Sequence, residues 1–180
     1  MSTDLQPAAH HAPVEPLDPA VLADIACGIA EARDLWEPHA IHEVDDRRPV
    51  RLLATDAYEV WVIGWTEGQG VDLHDHGGSI GVLVVTDGSL REHRPGQAAH
   101  DLAAGTVQHL PSGLVHEVFN PSAVPATSIH VYSPPLVAMG YYEETGERTI
   151  LLEHVVEERP AIDTERFARA LHPAARGDRG

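Results

Sequence analysis

Lysine does not occur in this chain: all 12 basic residues are arginine, set against 28 acidic ones, for a formal charge of −16 over 180 residues. So little positive charge excludes a phosphate-tracking surface, and neither a nucleic acid nor an anionic membrane is expected as a partner. Cysteine is nearly absent. Cys27 stands alone, which rules out an internal disulfide and any cysteine-rich zinc site. Long apolar runs are missing too; Val82 to Val85 is among the longest and falls far short of a bilayer span. The first residues hold no basic stretch followed by an apolar one, so they do not read as a secretory signal, and a cytoplasmic location is expected.

What the chain has in quantity is histidine, 13 residues in all. With thiolates set aside, imidazole and carboxylate remain as metal donors, and the question is which histidines converge. The length fits one domain with its own core, and an apolar content of 43% is ordinary for a globular chain. Residues 1–17 read as a flexible tail in which His10 and His11 are solvated. Asp18 before Pro19 fits a helix N-cap with proline at the first position, and Val21, Leu22, Ile25 and Ile29 recur at helical spacing, predicting a helix over 19–35.

From Arg51 the pattern changes to short β-rich runs punctuated by glycine, proline and aspartate, at 59–65, 80–86, 89–93, 106–110, 114–119, 127–133 and 148–156. They predict an all-β sandwich or barrel over about 48–158, within a single domain at 18–172. A short helix is expected at 164–171, before a polar tail at 173–180.

Two glycine-framed stretches carry the chemistry. In the first, Gly68 to Gly88, His74 and His76 are two residues apart; in extended chain such residues share a face, so both rings can reach one metal ion. In the second, Gly105 to Asn120, His116 follows a Pro111-Ser112-Gly113 turn that can bring a distant strand back across the same pocket. Asp75, between the first pair, points to the opposite face and reads as a support behind the ligands or a turn acceptor, not as a ligand. Ser128, His130 and Tyr132 also share one face of a strand, so all three can point inward as a hydrogen-bonded relay.

The two stretches resemble the paired motifs of the cupin superfamily, which implies an RmlC-like jelly-roll β-barrel, here with an N-terminal helical segment. They depart from it at one place. The usual glutamate ligand would fall at Ile80 or Gly81, neither of which can bind a metal, so the expected site is three histidines without a carboxylate. With Trp65-x-Glu-Gly-x-Gly before His74 and Ser128-Ile-His130-Val-Tyr132-Ser-Pro-Pro135 downstream, the chain looks like the cysteine dioxygenase family of thiol dioxygenases. That resemblance implies one Fe(II) per chain held by His74, His76 and His116. It further implies a small thiol, L-cysteine, oxidised by O2 to the sulfinic acid, in cysteine catabolism.

By the same resemblance Tyr132 sets its hydroxyl near the substrate, with His130 and Ser128 behind it. Arg51 matches the arginine that pairs with the substrate carboxylate, with Arg48 as the fallback, and Trp65 packs beside the site. Some relatives crosslink the tyrosine to a cysteine; that position is Gly81 here, so no crosslink is expected. The rival readings are 3-mercaptopropionate or another small thiol as substrate, a metal-binding cupin sensor without activity, and a zinc or manganese isomerase, which the missing glutamate disfavours. A monomer or weak homo-oligomer is expected. His93, His100, His109, His154 and His172 join no motif.

Overall fold

The computed structural model describes residues 15–145 and 148–156. The pair His10 and His11, the helix expected at 164–171, His172 and the tail at 173–180 lie outside those residues. Helix α1 spans Pro19–Glu31, with the Asp18 carboxylate accepting from the Ala20 N–H at 2.8 Å and Pro19 at the first position. It stops short of the predicted residue 35. At Ala32 the backbone leaves the helical region, and a four-residue helix α2 (Arg33–Trp36) turns off it. The break lets the Trp36 indole fold back, buried, and donate to the Ala30 carbonyl at 3.2 Å. Leu17, assigned to the tail by sequence, packs on the same cluster and donates its N–H to Ser133 Oγ.

The strands are β1 (Val50–Ala54), β2 (Glu59–Trp65), β3 (Gly70–His74), β4 (Ile80–Asp87), β5 (Ser89–His93) and β6 (His100–Ala103), followed by β7 (Val107–Leu110), β8 (His116–Phe119), β9 (Ala126–Ser133), β10 (Ala138–Thr145) and β11 (Arg148–Val156). They form two antiparallel sheets, ordered β1-β2-β9-β4-β7 and β11-β10-β3-β8-β5-β6. The sheets are not closed into a continuous barrel. Each keeps two edge strands, β1 and β7 in one, β6 and β11 in the other.

Strand periodicity divides the five-stranded sheet between two cores. Val60, Val62, Val82, Val84, Ile129 and Val131 face outward under α1, against Leu22 and Ala26. Ile63, Trp65, Leu83, Val85 and Tyr132 face inward against Leu90, Leu102 and Val118 of the other sheet. A sheet buried on both faces reads as nearly continuous apolar runs, which is why β2, β4 and β9 are so visible in the sequence. Each aliphatic side chain fully buried here contributes about 1.5–3 kcal/mol. Among the described residues no helix is long and apolar enough to cross a membrane.

Candidate metal centre

A β-bulge aims the first ligand. In the β3–β8 pairing Val71 opposes Val118, yet His74 opposes His116, so β3 carries one residue more than its partner between those pairs. Without the extra residue, alternation from the cavity-facing Val71 would put Leu73 inward and His74 outward. The bulge reverses this and sets His74 directly across from His116. His76 lies just past the end of β3, in a loop that turns at Gly77, whose φ of 57° suits glycine and whose missing side chain leaves room for the Ala138 backbone.

The three rings meet, with centroids 5.0 Å apart for His74 and His76, 4.7 Å for His74 and His116, and 5.2 Å for His76 and His116. One nitrogen from each lies within 4.8 Å of the others, and all three residues are buried. Burial first, then the neighbouring imidazole of His116, lowers the His74 pKa to about 3, and His76 is driven well below its ordinary value by burial and by both other rings. At neutral pH both therefore keep free lone pairs. His74 donates Nδ1–H to the Asp72 carbonyl at 2.7 Å, which leaves Nε2 as the donor atom. His116 donates Nδ1–H to Glu92 Oε1 at 2.8 Å, and its Nε2 is buried without a hydrogen-bond partner among the described residues. His76 has both ring nitrogens in that state. Orphaned buried nitrogens are costly, and three imidazoles converging on one point fit a borderline divalent metal ion.

The relay on β9 is connected. Trp65 Nε1–H donates to Ser128 Oγ at 2.8 Å, Ser128 Oγ lies 2.8 Å from His130 Nε2, and His130 Nδ1 lies 3.0 Å from the Tyr132 hydroxyl. An indole can only donate, and among the described residues the Ser128 hydroxyl has no acceptor for its own proton except His130 Nε2, which sets the direction. Ser128 is fully buried and passes its own proton to His130 Nε2. His130 then carries its proton on Nδ1 and gives it to the Tyr132 oxygen, which frees the phenolic O–H for a further partner. His130 stays neutral because burial, then the charge of Arg47, lowers its pKa to about 3. Burial, then nearby Glu59, raises the Tyr132 pKa, so the phenol keeps its proton. The Tyr132 ring centroid is 4.9 Å from that of His76. Trp65 thus does more than pack.

His74, His116, His130 and Tyr132 line a cavity of about 290 Å³. The inward parity of β2 adds Glu59, Trp61, Ile63 and Trp65 to its wall. Arg51 is part of the wall, opposite Trp61 in the β1–β2 register, and pairs with buried Glu59, Nη1 to Oε2 at 3.4 Å. Arg48 is not a wall residue; it is exposed and pairs with Glu43 and Asp46. The second cation of the wall is its neighbour Arg47, which lies 4.9 Å over the Trp65 ring and has no carboxylate partner among the described residues. Arg47 is half-buried, and burial lowers its pKa.

Arg47, Glu59 and Glu92 escaped the sequence reading. Glu59 shares parity with Trp61 and Trp65, and Glu92 with buried Leu90, so alternation alone could have flagged both. Nothing in Asp45-Asp46-Arg47-Arg48 separates the two arginines. Asp75 is a turn acceptor: Oδ1 receives the Gly77 and Gly140 N–H groups and Oδ2 the Tyr142 hydroxyl. Gly81 faces Tyr132 across β4 and β9, where a Cβ would come within 2.8 Å of the ring. Cys27 sits in α1 on the outer core.

The sequence profile of the cysteine dioxygenase type I family matches residues 22–145, which takes in the triad, the relay and the cavity wall. Among solved structures, an uncharacterized conserved protein with a double-stranded beta-helix domain from Klebsiella pneumoniae aligns with a TM-score of 0.51 at 20% identity, over 65% of this chain and 93% of its own. The protein TT1209 from Thermus thermophilus aligns with a TM-score of 0.51 at 24% identity, over 55% of this chain and 93% of its own. At such identities these two show the fold alone, which the first description gives as a double-stranded β-helix.

Proposed function

The chain belongs to the cysteine dioxygenase type I family, and from that premise we propose that it is a mononuclear non-haem iron thiol dioxygenase that oxidises L-cysteine with O2 to cysteine sulfinic acid. The observation that carries the reading is the buried histidine triad with unpartnered nitrogens, set beside a relay that leaves one phenolic proton free. His74, His76 and His116 would hold the ion. When bound, Fe(II) supplies the one-electron chemistry that lets dioxygen react with a thiolate.

The other groups act on the substrate. Tyr132 donates its O–H to it, and the donation order from Trp65 through Ser128 and His130 keeps that proton aimed into the cavity. Arg51 and Arg47 offer the substrate carboxylate a guanidinium fork. The apolar wall of Ile63, Trp65 and Val118 excludes water, which strengthens both contacts. With that product the protein would serve cysteine catabolism, and we propose the cytoplasm as its location.

A panel of small thiols, followed by oxygen uptake and sulfinate detection, tests the proposal. Cysteine should be turned over with one O2 consumed per sulfinate formed. One observation favours a second substrate reading, another small thiol: Glu59 already engages Arg51 and competes with the carboxylate of cysteine and of 3-mercaptopropionate alike, which favours a thiol without one, such as cysteamine. Faster turnover of cysteamine than of cysteine would establish it, and faster turnover of 3-mercaptopropionate would make that acid the substrate. Fe(II)-loaded protein that consumes no oxygen with any small thiol would return the chain to the sensor reading. Tyr132→Phe should lower turnover while iron stays bound; unchanged kinetics would remove Tyr132 from the site.

A further inference from the structure

We propose that Glu92 is a positioning residue of the metal centre, holding His116 in the tautomer that presents Nε2 and placing a negative charge one hydrogen bond behind the ligands. The inference rests on the metal reading of the triad. Glu92 is fully buried on β5, and its Oε1 receives the His116 Nδ1–H at 2.8 Å. The register makes the contact possible: Glu92 pairs with Val118 across β5 and β8, so His116, two residues along on the same face, is its diagonal neighbour.

A carboxylate is costly to bury unless both oxygens are satisfied, and here they are. Arg94 Nη2 donates to Oε1 at 3.2 Å and to Oε2 at 3.0 Å, and His100 Nε2 lies 3.1 Å from Oε2. Burial would raise the Glu92 pKa, but the bonds from His116 and Arg94 hold it below its ordinary value. The three candidate ligands are not supported alike. His74 leans on a backbone carbonyl and His76 on no partner among the described residues, so His116 is the one with an anion behind it.

Three imidazoles bring no charge to a divalent ion. A carboxylate behind one of them raises that ring's basicity and lowers the net charge of the centre without occupying a coordination position. The carboxylate that cupins commonly use as a ligand is missing from the expected position at Ile80 or Gly81. Glu92 supplies an equivalent charge from a position a ligand motif does not cover.

The test is a Co(II) titration of the full-length, metal-free protein, wild type against Glu92→Gln, which keeps size and an acceptor oxygen but loses the charge. Glu92→Gln should bind Co(II) about 10- to 100-fold more weakly, with a changed visible Co(II) spectrum and a far-UV CD spectrum like wild type. Glu92→Asp, which retains the charge, should recover part of the affinity. Equal affinity and identical Co(II) spectra for wild type and Glu92→Gln would overturn the inference and leave the metal reading standing. Wild-type protein that binds neither Co(II) nor Fe(II) would overturn both. A measurement on the wild type guards against a variant that does not fold. Histidine-selective ¹⁵N NMR of the metal-free protein should find His116 protonated on Nδ1 near neutral pH, and an Nε2–H tautomer would refute the assignment.

Discussion

Removing the Ser128 hydroxyl should damage the protein through two neighbours at once. Ser128, Trp65 and His130 are all buried, at 0%, 1% and 5% exposure. In Ser128→Ala the Trp65 N–H loses its acceptor and His130 Nε2 its donor, both at buried positions. An orphaned buried group costs about 1–3 kcal/mol, so two cost about 2–6 kcal/mol, a large share of a typical 5–15 kcal/mol stability. Trp65→Phe takes away the donor instead; Ser128 still gives its proton to His130, and the cost is mainly packing. In the double variant the orphaned indole no longer exists, so its destabilisation should fall short of the sum of the singles by about 1–3 kcal/mol. Equilibrium unfolding in urea, followed by far-UV CD, measures all four corners of the cycle. Additivity within about 0.5 kcal/mol would refute the chain of donation. Turnover is a second reading of the same chain: with His130 no longer held in one tautomer, the Tyr132 proton loses its aim. Loss of one oriented bond worth about 1–1.5 kcal/mol lowers kcat about five- to tenfold.

The remaining expectations concern the metal, the wall and the tight approach at Gly81. Metal at 100-fold above its Kd adds about 2.7 kcal/mol, so chelating it from loaded protein should lower Tm by about 5–11 °C; an unchanged melt would refute binding at the triad. Arg47→Gln should raise KM for carboxylate-bearing thiols more than Arg51→Gln does, because Arg51 already shares Glu59. Neither change should alter kinetics with a thiol lacking a carboxylate, such as cysteamine, and equal effects on both thiols would refute the carboxylate role. Gly81→Ala would put a Cβ 2.8 Å from Tyr132 Cδ1 and 3.0 Å from Cε1. Such overpacking costs about 1–3 kcal/mol and should lower both stability and turnover; wild-type values for both would show that the ring yields freely.

How much of this was legible depended on whether a residue's role is local. Strands buried on both faces, β2, β4 and β9, carry their apolar runs openly, and β5 shows a clean alternation. β1, β3, β6 and β10 were not predicted. β3 reads Gly-Val-Asp-Leu-His with an irregular burial pattern because a bulge interrupts its alternation, and β6 buries only Leu102. The helix overran its true end because nothing between Glu31 and Trp36 breaks the pattern locally. The stop comes from the docking of Trp36 on α1.

The site divides the same way. His74 with His76, and the relay, are set by short spacings, two residues apart along one strand or loop, and His116 by its own glycine-framed stretch; such local patterns survive in a one-dimensional text. Glu92, Arg47 and Glu59 owe their positions to cross-strand register and to a loop laid over Trp65, which the text does not hold. The net charge makes the difference consequential. At −16 the chain as a whole disfavours an anionic substrate, but at physiological ionic strength that field is screened beyond about 8 Å. Local groups decide, and they are unevenly matched: Glu59 engages Arg51 and Glu92 engages Arg94, while Arg47 is held over an indole without a carboxylate partner among the described residues. On the proposed function, that half-buried guanidinium is the group left to meet a substrate carboxylate. On the proposed function the wall would take an anion against the sign of most other charges on the chain.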